Sequence, residues 1–273
     1  MDTQIILVYC LCDDLLKAMN HREDPQCQLS DAEVMTLAVV AALYFAGNYA
    51  LACRFLGTHG YLRPLSRSRF CRRLNRIQRY FGLLFSWLAQ TWKALNLKQT
   101  YVVDTFPIPV CDNIRIPRCQ LYQAAAYRGY LPSKRRYFYG LKVHLLISAT
   151  GAPIEFFLTP ASDSDTRGLL QFDFDLPQGA VVVADKAYNV YWFEDMLAEA
   201  GIALKPLRKQ NSKRTFAPWV RYWQACVRKR IETAGSLLER LLPKSIHATT
   251  AAGFELKVAL FILACSLHLL PLP

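Results

Sequence analysis

Three acidic residues stand out because so few others surround them. Asp104 and Asp112 are the only acids between Glu33 and Glu155, and Glu232 is the only one between Glu199 and Glu239. Asp104 closes the β-prone run Thr100-Tyr101-Val102-Val103, and Asp185 closes a second, Ala180-Val181-Val182-Val183-Ala184. Open α/β sheets gather their ligand sites at the carboxyl ends of strands. If these two runs are neighbouring strands, two carboxylates meet there, and like charges in contact either raise each other's pKa or take a cation between them. Two Asp and one Glu make an all-oxygen donor set, which suits Mg²⁺, with Mn²⁺ as a substitute, better than a soft metal. Divalent ions held this way activate water and stabilise the leaving oxygen in phosphodiester cleavage. Asp104, Asp185 and Glu232 are therefore the candidate catalytic and metal-binding residues. Each also has a simpler reading: a strand-end Asp commonly shapes a turn, and Glu232 lies one helical turn from Arg228, a surface pair worth about 0.3–0.5 kcal/mol.

The elements that must position these groups can be read from periodicity. Residues 1–98 carry helical patterns and few strand signals. Ser30-Asp31-Ala32-Glu33 ahead of Val34-Met35 has capping-box spacing. From Arg67 to Phe81, arginines alternate with Phe70, Leu74, Ile77 and Phe81, which predicts a helix with one apolar face and one cationic face. After residue 98 the pattern changes. A strand is expected from Thr100 to Asp104, with Pro107 and Pro109 beyond it. A hairpin is expected from Arg136 to Leu158 around Thr150-Gly151, and a helix over Leu169 to Phe174. The 180–185 run reads as a central strand covered on both faces. A helix near Trp192–Ala200, a strand near Ala203–Leu207 and a long helix from Trp219 to Leu241 follow. Its apolar stripe is Val220, Trp223, Val227, Ile231, Ala234, Leu238 and Leu241. This order is α/β, compatible with a mixed five-stranded sheet with flanking helices, preceded by an all-α region. Two regions are expected, a helical DNA-binding region over 1–98 and a catalytic domain with C-terminal helices over 99–273.

The distribution of charge points to the substrate. The formal net charge is +12, and 26 of the 33 Lys and Arg fall in three acid-free stretches, 34–103, 113–154 and 200–231. Ordinary solvated surfaces intersperse both signs. Segregated cations suit a polyanion, because each neutralised phosphate releases condensed counterions. The DNA-contact candidates are Arg67, Arg69, Arg72, Arg73, Arg76 and Arg79 on the first predicted cationic helix, then Arg135, Arg136 and Lys142 in the second stretch, and Lys186, which directly follows Asp185. The long basic connection from Asn113 to Tyr139 also holds Tyr122, Tyr127, Tyr130 and Tyr137, a mixture suited to gripping distorted or single-stranded ends. His144 reads as a structural histidine, and Tyr188 as either a DNA contact or a core ring.

Nine cysteines without a C-x-x-C pair read as reduced thiols, and the five histidines lack zinc-ligand spacing with them. The apolar run at Ile5–Cys12 lacks a basic leader, and the one at Val258–Leu272 reads as a buried helix in preference to a membrane span.

Four segments in order resemble the DDE transposases of bacterial insertion sequences, specifically insertion-sequence family 982. They are Val102 to Cys111, Tyr137 to His144, Ala184-Asp185-Lys186-Ala187-Tyr188, and Arg230-Ile231-Glu232-Thr233 with Ser236 and Leu237. The resemblance covers residues 100–240 and extends loosely to Leu29–Val34. It implies an RNase H-like core with Asp104 on the first strand, Asp185 on the fourth and Glu232 on a later helix. It further implies Mg²⁺-dependent nicking at terminal inverted repeats, attack of the freed 3′-hydroxyl on target DNA, and a phosphate contact from Arg228. The expected partner is double-stranded DNA, both transposon ends and target, handled by a homodimer or higher oligomer in the bacterial cytoplasm at the nucleoid. The competing readings are a nuclease of the same fold that never joins strands, a non-catalytic DNA-binding protein, and a membrane-associated protein.

Overall fold

The computed structural model describes residues 1–63, 65–131, 135–243 and 246–271, without the side chains of residues 230, 234, 235 and 239. Ala234, part of the stripe expected in the last long helix, therefore lies outside the described side chains. The chain divides into two compact units, Met1–Leu88 with Leu237–Pro273, and Ala89–Ser236.

The first unit is helical. It holds α1 (Asp2–Ala18), α2 (Asp31–Tyr44), α3 (Tyr49–Thr58) and the larger part of α4 (Arg67–Leu95). The expected capping box starts α2: the Glu33 N–H donates to Ser30 Oγ at 3.1 Å, and the Ser30 N–H donates to Glu33 Oε2 at 2.5 Å. Two of the helix's orphan donors are thereby satisfied. On α4 the apolar face is buried as the periodicity requires, through Phe70, Leu74, Ile77, Phe81, Leu84 and Leu88. The last helix of the chain (Ala251–His268, α8 in chain order) packs against α2. The division into units thus differs from the 98/99 boundary: the C-terminal helix joins the first helices and not the sheet. A helix apolar on most sides must be enclosed, and α8 buries residues from Phe254 to Leu267. By length and composition α8 is apolar enough to cross a membrane, while 61% of it is buried inside the protein.

The second unit is a mixed sheet with helices. Its strands are β1 (Thr100–Cys111), β2 (Arg128–Leu131), β3 (Arg136–Ser148), β4 (Pro153–Pro160), β5 (Val181–Ala184) and β6 (Ala203–Pro206). The path β2-β3-β1-β5-β6 is joined by β4 pairing with β3. Six strands stand where five were expected. The extra one, β2, pairs antiparallel with residues 136–139 of β3 and falls inside the stretch read as a long connection. Four residues are too few for alternation to declare itself, and Gly129 has no side chain to contribute. A Cβ on Gly129 would meet Phe138 at 2.5 Å and the Ala161 carbonyl at 2.7 Å.

Two boundaries also differ. β1 does not stop at Asp104 but continues antiparallel to β3 as far as Cys111, through both prolines. Proline lacks an N–H and is tolerated where that position faces an unpaired edge. β5 pairs with only Thr100–Val102 of β1, so the ladder on that side ends there among the described residues. Pro107 and Pro109 share the parity whose N–H faces that side. The helix expected over 169–174 is instead α5 (Asp165–Leu169), capped by the Ser164 side chain, and the chain then leaves helical geometry. Phe172 and Phe174 are buried in an aromatic cluster with Phe157. Two further helices complete the unit, α6 (Tyr191–Glu199) and most of α7 (Pro218–Leu241).

Candidate active site

Sheet register brings the first two candidates together. β1 and β5 run parallel, with Thr100 opposite Val181, Tyr101 opposite Val182 and Val102 opposite Val183. Carrying that register two residues further places Asp104 beside Asp185, which directly follows β5. Val102, Val103, Val182, Val183 and Ala184 are buried, so the apolar runs that made these strands legible also fix the two carboxylates. Asp104 is 27% exposed and Asp185 44%.

A guanidinium bridges the pair. Arg228 Nη1 donates to Asp185 Oδ1 at 2.5 Å, and its Nη2 lies 3.5 Å from Asp104 Oδ2. Arg228 stands on α7 beside the face that buries Gln224 and Ile231, and its side chain is only 17% exposed. Burial raises the pKa of Asp104 above the ordinary carboxylate range. The Thr105 N–H, which donates to Asp104 Oδ1 at 2.8 Å, and the charge of Arg228 pull against that rise, while Asp185 and Asp165 add to it. Two adjoining carboxylates, one of them desolvated, call for positive charge, and here they share one cationic side chain.

Behind Asp104 lies a buried polar chain. Thr105 Oγ1 is 2.6 Å from the Tyr188 hydroxyl and 3.3 Å from His144 Nδ1, and His144 Nε2 is 2.9 Å from Thr159 Oγ1. His144 is fully buried and stacks on Phe157, with ring centroids 4.8 Å apart. Burial, with a smaller effect from Lys142, lowers its pKa to about 4, against an upward pull from Asp165 and Asp163. Gly168 permits this placement, since a Cβ there would sit 1.9 Å from the ring. His144 is accordingly a neutral structural group. Tyr188 is buried, its hydroxyl bonded within the protein, which favours the core reading.

Glu232 is placed differently. It is exposed on α7, one turn beyond Arg228, and its carboxylate has no hydrogen bond or ion pair among the described residues. The alternative pairing of Glu232 with Arg228 is not what is found, because Arg228 faces the aspartates. The three carboxylates do not form a group with ligand atoms within 4.8 Å of one another; among the described residues only His21, Glu23 and Asp31 do. That trio lies in the helical unit and is already internally bonded. His21 Nε2 is 2.8 Å from Asp31 Oδ2, the Asp31 N–H donates to Glu23 Oε1 at 2.7 Å, and Arg73 pairs with Asp31. With a guanidinium already balancing Asp31, the trio acts as a junction between helices.

The cationic candidates divide by environment. Arg67, Arg69, Arg72, Arg76 and Arg79 on α4 are exposed, though Arg79 also donates to the Tyr80 hydroxyl at 2.8 Å. Arg73 is turned inward, bonded to the Leu29 carbonyl and to Asp31. In the sheet unit Arg135, Arg136 and Lys186 are exposed. Lys142 is engaged, donating to the Asp163 carbonyl at 2.7 Å and lying 3.3 Å from Asp165. Arg73 and Lys142 therefore differ from the free cations expected of them, since carboxylate and carbonyl oxygens claim their protons. Thr105 and Asp165 were not legible as parts of the site. A hydroxyl directly after Asp104 and a carboxylate beginning α5 were the available signals.

A family model described as a transposase DDE domain matches residues 96–242, more than half of the 273-residue chain. The chain belongs to this transposase DDE-domain family. Asp104, Asp185, Arg228 and Glu232 all fall inside the matched part of the chain. No curated protein matches the sequence. Among solved structures, the chain is similar to the piggyBac transposase synaptic complex with hairpin DNA, at 8% identity and a TM-score of 0.44, covering 97% of this chain and 75% of that one. It is also similar to the Mos1 strand transfer complex, at 12% identity and a TM-score of 0.26, covering 84% of this chain and 82% of that one. Both likenesses are distant, and the assignment rests on the family match.

Proposed function

We propose that this DDE-domain protein is a DNA transposase of the insertion-sequence 982 type, from a bacterium, whose sheet unit is an RNase H-like catalytic domain. The observation that carries the reading is the side-by-side placement of Asp104 and Asp185 by parallel pairing of β1 with β5, neutralised by Arg228. The donor set fits a hard divalent ion. Its atoms are carboxylate oxygens, and the pair already accepts a cationic group between them. Asp104 and Asp185 would hold Mg²⁺ (or Mn²⁺), with Glu232 brought in from α7. Bound divalent ions supply an activated water or 3′-hydroxyl and charge stabilisation at the scissile phosphate.

The chain's own groups have distinct parts in this reading. Thr105 holds the Asp104 carboxylate by its N–H. The Tyr188–Thr105–His144–Thr159 chain keeps the backbone of β1 in register behind it. Arg228 is placed to take a phosphate oxygen once it leaves the carboxylates. The exposed face of α4, with Arg67, Arg69, Arg72, Arg76 and Arg79, would follow duplex phosphates, and Arg135, Arg136 and Lys186 would add contacts around the sheet. Tyr130 and Tyr137, whose rings pack at 4.9 Å, belong to the same basic edge. Terminal inverted repeats and target duplex are the substrates, a homodimer or higher oligomer the acting form, and the bacterial cytoplasm the place.

The decisive test uses a labelled transposon-end duplex and a pre-cleaved end with a target plasmid. Asp104→Asn, Asp185→Asn and Glu232→Gln should each abolish Mg²⁺-dependent cleavage and joining while leaving DNA binding intact. Near-normal cleavage by any one variant removes that residue from the site. Cleavage without joining of pre-cleaved ends would make the protein a nuclease.

A further inference from the structure

Asp104 and Asp185 are fixed by different means. Asp104 lies within β1, which stays paired with β3 as far as Cys111. Asp185 lies one residue past β5, and the Leu207 N–H donates the last bond of that ladder to the Ala184 carbonyl at 2.9 Å. Beyond this bond the sheet no longer directs the chain. The Asp185 carboxylate therefore depends on the turn that follows it, from Asp185 to Asn189.

Tyr188 anchors the middle of the turn through Thr105, and Asn189 holds its far end. Asn189 Nδ2 donates to the Lys186 carbonyl at 2.8 Å and to the Leu207 carbonyl at 2.7 Å, tying the turn across to the end of β6. Its Oδ1 accepts from Arg208 Nη1 at 2.8 Å, so both faces of the amide are engaged. Arg208 is gripped in turn by Glu194 of α6, Nη1 to Oε1 at 2.7 Å and Nη2 to Oε2 at 2.6 Å. These two side chains are only 5% and 6% exposed, and the guanidinium also packs over the rings of Tyr191 and Phe216.

A buried ion pair is a weak way to stabilise a fold, since two apolar side chains of similar volume commonly serve as well or better. An apolar pair could tie α6 to the sheet, but it could not aim a donor at Asn189 Oδ1. That third bond is what distinguishes Arg208, and it leads to the turn that bears Asp185.

We propose that Asn189, with Arg208 and Glu194 behind it, is a positioning residue that holds the Asp185 carboxylate in register with Asp104 and Arg228. The proposal rests on the reading of Asp104 and Asp185 as the catalytic pair and deepens it by naming what orients the second of them. None of the three positioning residues touches the reacting atoms.

The test is a double-mutant cycle read by thermal unfolding of the full chain in EDTA. Asn189 and Arg228 share no hydrogen-bond partner among the described residues, so independent losses would add. Arg228→Gln should lower Tm by about 3–8 °C in the wild-type background. In the Asn189→Ala background, where the buried ion pair is intact, it should lower Tm by less than half as much, because Asp185 is no longer held against the guanidinium. Arg208→Lys keeps a charge opposite Glu194 but gives up the fork, and should decouple Arg228 in the same way. The control is Asn96→Ala, which removes an amide-to-carbonyl bond to Thr100 at the opposite end of β1 and should leave the full Arg228 effect. A full Arg228 effect in the Asn189→Ala background overturns the proposal, and so does an equal reduction in Asn96→Ala. A second readout is the Mg²⁺ concentration giving half-maximal cleavage of a labelled transposon end. It should rise by about 10- to 100-fold in Asn189→Ala and stay unchanged in Asn96→Ala. The cycle uses no metal, DNA or chemistry, so a wild-type protein that cuts no end would sink the transposase reading while the cycle still decides whether Asn189 positions Asp185.

Discussion

Replacing Arg228 by Gln removes the one guanidinium that bridges Asp104 and Asp185 among the described residues, and the cost can be worked from the geometry. The contact to Asp185 at 2.5 Å is a charge-assisted hydrogen bond; that to Asp104 at 3.5 Å is a longer ion pair. Hydrogen bonds to charged groups contribute about 1.5–3 kcal/mol net. Asp185 is 44% exposed, so solvent screening puts this one at the lower end, about 1.5–2 kcal/mol. A chain of this size shifts by about 2–4 °C per kcal/mol, so Arg228→Gln should lower Tm by about 3–8 °C in EDTA. The useful quantity is the change on adding metal. On the proposed reading a divalent ion would have to displace the guanidinium in the wild type, so its binding would be partly offset. In Arg228→Gln it enters a site with two uncompensated carboxylates. Calorimetry in EDTA and in millimolar MgCl2 or MnCl2 should show the variant recovering most of its loss with metal and gaining more than the wild type does. The reasoning is refuted if the loss is the same with and without metal, because Arg228 would then be a plain structural tie.

His144 should make the fold sensitive to acid. Its pKa falls from 6.5 to about 4 through burial, so its contribution is whole above pH 6.5 and is lost as pH drops toward 4. At about 1.4 kcal/mol per unit this loss approaches roughly 3 kcal/mol. Urea denaturation from pH 7 to 4 should show a shallower decline in His144→Gln than in the wild type, and parallel curves would mean that His144 does not govern the effect. On α4 two kinds of arginine should separate. Arg73→Ala should cost stability, about 1–3 kcal/mol, because it leaves Asp31 without its guanidinium at a site where both side chains are less than a fifth exposed. Arg69, Arg72 and Arg76 changed together to Ala should leave stability alone and lower the salt dependence of DNA binding by about 0.9 for each phosphate no longer neutralised. An unchanged slope would remove this face of α4 from the DNA surface.

What could be read in the sequence was whatever has a local cause. Ser30 and Glu33 form the box their spacing demands, and the two valine-rich runs became adjacent strands because only the interior of a sheet accepts them. The α7 stripe also followed from its period. The misses have non-local causes. β1 passes through Pro107 and Pro109 because the partner on that side, β5, is short, and nothing in the residues near Pro107 announces how long β5 will be. β2 exists because β3 extends far enough to receive it. The helix expected to continue through Phe174 gives way to burial of Phe172 against Phe157 and of Phe174 against Phe193, contacts between segments distant in sequence. Arg73 and Lys142 looked like free cations because their partners, Asp31 and the Asp163–Asp165 segment, are 42 and about 20 residues away.

The carboxylate pair illustrates how the legible and the illegible meet. That Asp104 and Asp185 each follow an apolar run is local information; that they adjoin depends on β1 and β5 being neighbours and parallel. Antiparallel pairing from the same starting residues would have carried the two acids to opposite ends of the strands. β1 is antiparallel to β3 on one edge and parallel to β5 on the other, so Asp104 sits where the parallel ladder gives out while the antiparallel one continues. There the strand keeps its rigidity from β3, and its other edge is open toward α7 and Arg228. A rigid backbone with one open edge is what a carboxylate needs if it is to hold a cation in fixed geometry and still admit a phosphate. The same feature explains why Glu232 is less constrained: it is borne on an exposed helical turn with no ladder to fix its distance from the other two. Of the three acids, Glu232 is therefore the one whose position should depend most on bound metal and DNA.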